Sequence, residues 1–109
     1  AHELTHVWQW QNRDLTGYTP WRAATEHFGA ADPYLFDSAT TTRFLDYGYE
    51  QQASLVEEYL CCRTLDPAGA RTARLDGLLR EVLPLPPLPG APQPARLPWA
   101  EAETTGICA

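Results

Sequence analysis

The chain has 109 residues, of which 44% are apolar, and a formal net charge of −6 with no lysine. This suits one small domain with a core of its own, and the eight arginines, scattered singly, form no basic patch able to track a phosphate backbone, which argues against nucleic acid as a partner. No apolar run approaches the roughly 20 residues of a membrane span, and residues 1 to 15 lack the basic start and hydrophobic stretch of a signal peptide. The chain therefore reads as soluble with no membrane partner, either cytoplasmic or exported by a route independent of a signal peptide.

Residues 1 to about 12 contain neither Gly nor Pro and place His2, His6 and Trp10 at successive i, i+4 steps with Val7 beside them, which predicts a helix ending before Asn12. Thr19-Pro20 reads as a cap followed by proline at the first helical position, opening a short helix with Trp21, Ala24, Thr25 and Phe28 in its stripe and Gly29 at its end. Residues 29 to 38 are loop-like, with helical character again through Thr40 to Leu45. From Asp46, taken as a cap, to Arg63 the pattern predicts the longest helix, closed by Asp66-Pro67-Ala68-Gly69. A last amphipathic helix carries Leu75, Leu78, Leu79, Val82 and Leu83 and stops at Pro84.

No stretch alternates as a strand does. Seven of the ten prolines fall between Pro84 and Pro98, predicting an extended, polyproline-like tail. The expected organisation is a mainly α region over 1–83 and a Pro-rich tail over 84–109. Cys61, Cys62 and Cys108 make neither a CxxC pair nor an even disulfide set, and are expected as small buried thiols.

The chemistry-bearing feature is His2-Glu3-Leu4-Thr5-His6. Two histidines one helical turn apart project from one face and can reach one zinc ion, and the intervening glutamate is placed to act as a general base on a water activated by zinc and Glu3. A third ligand is required. A metzincin needs Gly at position 9 and His at position 12, where Gln9 and Asn12 stand, and the Gly-Thr-x-Asp of an aspzincin is nowhere in the chain. A gluzincin takes a Glu from a second helix a few dozen residues on, with a small residue three or four positions later; Glu50, Ala53 and Ser54 fit. Glu57 or Ser54 is then a candidate to hydrogen-bond the outer nitrogen of a ligand histidine. Candidates for an oxyanion donor are Tyr34, Tyr47, Tyr49 and His27, with Tyr47 one turn before Glu50.

These residues extend into longer strings. His-Glu-Leu-Thr-His-Val-Trp-Gln, then Phe44-Leu45-Asp46-Tyr47, Glu50-Gln51-Gln52-Ala53 and Val56-Glu57-Glu58-Tyr59, resemble the bacterial Vgr-related zinc metallopeptidases of unassigned function found near contractile injection and type VI secretion genes. The resemblance covers about residues 2 to 60. It implies the helical half of a zincin-like metallopeptidase domain, with the HExxH helix packed on a Glu-bearing helix, His2, His6 and Glu50 as zinc ligands and Glu3 as base. The zinc-site chemistry leads to the expectation of a peptide or peptide-like substrate, and the resemblance to that of secretion-system partner proteins. A zincin's strands precede its histidine helix, so the chain is expected to be an N-terminally truncated fragment.

Other features have plainer readings. Trp8, Trp10 and Trp21 are expected in the core rather than as a carbohydrate platform. His27 reads as a half-exposed side chain, the PxxP spacing after Pro84 as a linker, and Glu57-Glu58 as a solvated helix face. The alternative to an enzyme is a module whose metal staples helices without turnover, or an inactive fragment.

Overall fold

A computed structural model of the chain describes residues 1–27 and 42–109, the side chains of His27, Leu97 and Glu101 excepted. Tyr34 and the loop expected over 29 to 38 therefore lie outside the described residues. Those described are mainly helical: α1 (His2–Gln11), α2 (Arg13–Thr16), α3 (Pro20–His27), a 3-10 turn (Phe44–Asp46), α4 (Tyr49–Leu65) and α5 (Ala70–Leu79), then a hairpin of β1 (Ala95–Leu97) and β2 (Ala100–Ala102). None of the helices described is long and apolar enough to cross a membrane. The chain divides into two compact units, Ala1–Glu57 and Glu58–Ala109, so the division falls within α4.

In the first unit α1 runs through helix-compatible residues until Asn12, whose side-chain amide and backbone N–H both donate to the Trp8 carbonyl, each at 2.9 Å. The short α2 ends on Gly17, whose φ of 67° is the left-handed cap that glycine adopts without strain. Thr19 caps α3 as expected, its hydroxyl accepting from the Arg22 N–H at 3.1 Å, with Pro20 at the first helical position.

The inward face of α1 differs from the expected one. Its buried residues are Thr5 and Gln9, with His2 and His6 half-buried on the same side, whereas Leu4, Val7 and Trp10 are exposed. Trp21 is 80% exposed, so neither Trp10 nor Trp21 is a core residue; Trp8 alone of the three is half-buried, edge-on to Phe44. Trp10 instead carries the Arg13 guanidinium 4.8 Å from its ring centre. The reason is the partner surface: the first turns of α4 present carbonyls, Gln52 and Glu50, which an imidazole or an amide satisfies and an indole ring does not.

The start of α4 also moves. Asp46, expected as its cap, lies in the 3-10 turn, and the helix begins at Tyr49. Gly48 stands before it and donates its N–H to Gln51 Oε1 at 2.9 Å, half of a capping box. Glu26 reaches across from α3 to accept the Tyr49 N–H at 3.0 Å and the Glu50 N–H at 3.3 Å. A carboxylate on these orphan donors also meets the positive end of the helix dipole.

In the second unit Tyr59, Cys62, Leu75 and Leu79 are fully buried. Tyr59 donates its hydroxyl to Asp76 at 2.7 Å, and the Arg80 guanidinium donates to the same carboxylate at 2.6 Å. Contrary to the expectation of three thiols, Cys62 and Cys108 form a disulfide across 46 positions, and Cys61 is an exposed free thiol. The tail lacks regular structure from Pro84 to Pro94 yet is tied to the helices by its carbonyls: Leu85 and Pro86 accept from Arg80, Pro87 accepts from Arg63, and the Gln93 N–H donates to Thr64. Proline removes donors and leaves acceptors, which is why arginines gather there. The unexpected hairpin pairs Ala95 with Ala102, Arg96 with Glu101 and Leu97 with Ala100, strands too short to show an alternating pattern.

Candidate metal centre

α1 and the first turns of α4 bring three side chains to one point. The His2 Nε2 lies 2.9 Å from Glu50 Oε2 and the His6 Nε2 lies 3.2 Å from Glu50 Oε1, so each carboxylate oxygen faces one ring. A ligand atom from each of the three lies within 4.8 Å of the others. The rings meet edge to face with centroids 5.0 Å apart, as residues one turn apart on a helix do. All three are withdrawn from solvent, the His2, His6 and Glu50 side chains being 20%, 18% and 8% exposed.

The outer ring nitrogens are also occupied. Glu57 Oε2 stands 3.2 Å from His2 Nδ1, and Gln9 Oε1 stands 2.8 Å from His6 Nδ1. Among the described residues it is Glu57, two turns beyond Glu50, and not Ser54 that stands against a ring nitrogen of His2. Burial alone lowers the His2 pKa, but the hydrogen bonds to Glu50 and Glu57 and their negative charge outweigh it, and the net shift is upward from 6.5.

The donor set suits zinc. Two imidazole nitrogens and a carboxylate are among its usual ligands, and ligands about 2.1 Å from one ion in a tetrahedron stand roughly 3.4 Å apart, near the two nitrogen–oxygen separations of 2.9 and 3.2 Å here. With each Nδ1 engaged outward, both Nε2 atoms turn towards an anion, an arrangement that positive charge satisfies, whether on a ring or on an ion between them.

The remaining candidates are dispersed. Glu3 is exposed on α1 immediately after His2, with no hydrogen bond or ion pair to hold it among the described residues. Tyr47 lines an open cavity of about 390 Å³ with Arg22, Glu26 and Tyr49, and its carbonyl accepts from the Gln52 amide at 2.9 Å. Tyr49 has its hydroxyl committed to the Thr16 carbonyl at 3.1 Å. Tyr34 and the His27 side chain lie outside what the structure describes.

Three residues enter that sequence reasoning passed over. Gln9 and Glu26 support His6 and the start of the Glu50 helix. Tyr18 places its ring 6.4 Å from that of His6 and 4.9 Å from that of Tyr49; burial raises its pKa, and the negative charges of Glu50 and Glu26 add to the shift. Gln9, at i+3 from His6, was the one within reach of a spacing argument. No protein-family model, curated protein or solved structure matches the chain.

Proposed function

We propose that His2, His6 and Glu50 hold a zinc ion and that the protein is a zinc-dependent hydrolase of peptide or peptide-like amide bonds. The observation that supports this most is the convergence of both Nε2 atoms on the two oxygens of Glu50, with each Nδ1 engaged from behind. Zinc, when bound, supplies Lewis acidity towards a carbonyl and towards water.

The chain's own residues do the rest. His2 and His6 present unprotonated Nε2 atoms, and Glu50 supplies the anionic ligand. Glu57 and Gln9 hold the imidazoles in the orientation that presents those atoms. Glu3, exposed beside His2, takes the proton of the attacking water on its carboxylate and passes it to the departing nitrogen. Three protein donors among the described residues favour catalysis over a structural staple, since structural zinc is closed by four protein groups. On this reading the zincin-like fold and kinship with the Vgr-related metallopeptidases are also proposals, with secretion-system proteins as partners.

The test is metal content followed by activity. Purified protein is expected to carry one zinc per chain, and Glu3→Gln to keep the zinc while losing about 10²–10⁴-fold in peptide hydrolysis. Absence of stoichiometric zinc, or full hydrolysis by Glu3→Gln, defeats the proposal.

A further inference from the structure

Gln9 is fully buried and Gln52 is 1% exposed, and the two amides are joined in a fixed sense. A backbone carbonyl only accepts, so the Gln52 group 2.9 Å from the Tyr47 carbonyl is its NH2, which leaves Gln52 Oε1 facing α1. The Gln9 NH2 meets two acceptors, Gln52 Oε1 at 3.0 Å and the Tyr49 carbonyl at 2.9 Å, and both its protons are used. Gln9 Oε1 is thereby turned towards His6 Nδ1 at 2.8 Å, and an amide oxygen accepts and never donates. Flipping either amide would set NH2 against a donor or oxygen against oxygen at a buried site.

We propose that Gln9 is a positioning residue that fixes the tautomer of His6: through a relay of two buried amides anchored on the Tyr47 and Tyr49 carbonyls, neutral His6 carries its proton on Nδ1 and turns the Nε2 lone pair towards Glu50. Glu50 opposes this, since its carboxylate would accept a proton from Nε2; the relay prevails because Gln9 Oε1 is the nearer acceptor, 2.8 Å from Nδ1 against 3.2 Å from Nε2 to Glu50 Oε1, and its amide cannot turn away. His2 is served differently, by the half-exposed carboxylate of Glu57. The inference deepens the zinc-site reading, yet the tautomer belongs to the metal-free chain and is measurable without zinc.

The experiment is two-bond 1H–15N correlation spectroscopy of the histidine rings in the metal-free, 15N-labelled chain at alkaline pH. Wild-type His6 is expected to show a protonated Nδ1 and an unprotonated Nε2. Gln9→Met, similar in length and without an acceptor amide, is expected to move the proton towards Nε2 and to weaken zinc binding about 10–100-fold. A purely structural Gln9 would leave the tautomer alike in all folded variants.

Wild-type His6 with its proton on Nε2 overturns the proposal, as does Gln9→Met with an unchanged tautomer. If Gln9→Met does not fold, the wild-type spectrum alone decides. A wild-type chain that binds no zinc overturns the metal-site reading and leaves the tautomer result standing.

Discussion

A Cβ built on Gly48 would stand 2.8 Å from Glu26 Oε1, so the absent side chain of one residue makes room for the carboxylate of the other. Glu26 uses that room to cap α4 on the N–H groups of Tyr49 and Glu50. Gly48→Ala is predicted to displace Glu26 and to cost about 1 kcal/mol, the usual worth of a helix cap. Because Glu26→Ala removes the same cap, the double variant should be little worse than either single one. Additive losses in urea denaturation would show that the two do not act through one another.

Glu57 buttresses His2 from a half-exposed position, where solvent and salt weaken it. Glu57→Gln is expected to reduce zinc affinity by roughly tenfold, the lower end of what such outer partners contribute. Competition with a chromogenic chelator at low and high salt reads this out. An unchanged affinity at low salt would remove Glu57 from the site.

The Cys62–Cys108 bond closes a span of 46 positions, and a loop of that length is worth about 4 kcal/mol by chain-entropy arguments. Cys108→Ser, or reduction of the wild type, should therefore lower the thermal midpoint markedly, whereas Cys61→Ser should leave it in place. Equal melting of oxidised and reduced protein would contradict the structure.

Asp76 predicts an acid limb. Hydrogen bonding from Arg80 is the largest cause that holds its pKa below 3.8; burial opposes it and the Tyr59 hydroxyl assists. A carboxyl with a depressed folded-state pKa contributes stability that is present above its unfolded value and is lost as pH falls through the folded one. Wild type should thus exceed Asp76→Asn in urea midpoint near neutrality, and the two curves should draw together below about pH 4. Parallel curves down to pH 2 would refute this.

The sequence made some of this legible and hid the rest for definite reasons. That His2 and His6 share a face was readable because spacing on a helix follows from its pitch; Glu50 was expected beside them from the pattern of the motif, and the structure brings the three side chains together. Thr19-Pro20 was readable because a cap is a local matter. Gln9 was not, since an isolated glutamine on an amphipathic helix reads as solvated, and only the carbonyls and amide of α4 make it a core residue. The Trp10 assignment failed because side-chain size predicts burial only where the opposite surface is apolar, and α1 faces carbonyls and amides; Trp21 is 80% exposed on α3. Asp46 lost its capping role to Glu26, twenty residues upstream, which no local rule detects. The disulfide was masked by an odd cysteine count and by partners far apart in the chain.

Turning His2, His6 and Gln9 inward ties α1 to one register against α4. An oily stripe can slide by a residue and remain an oily stripe, but a row of directional bonds that slips loses every one of them together. The cost in hydrophobic burial is returned as alignment, and Glu3, one position after His2, inherits that alignment from the helix that carries it.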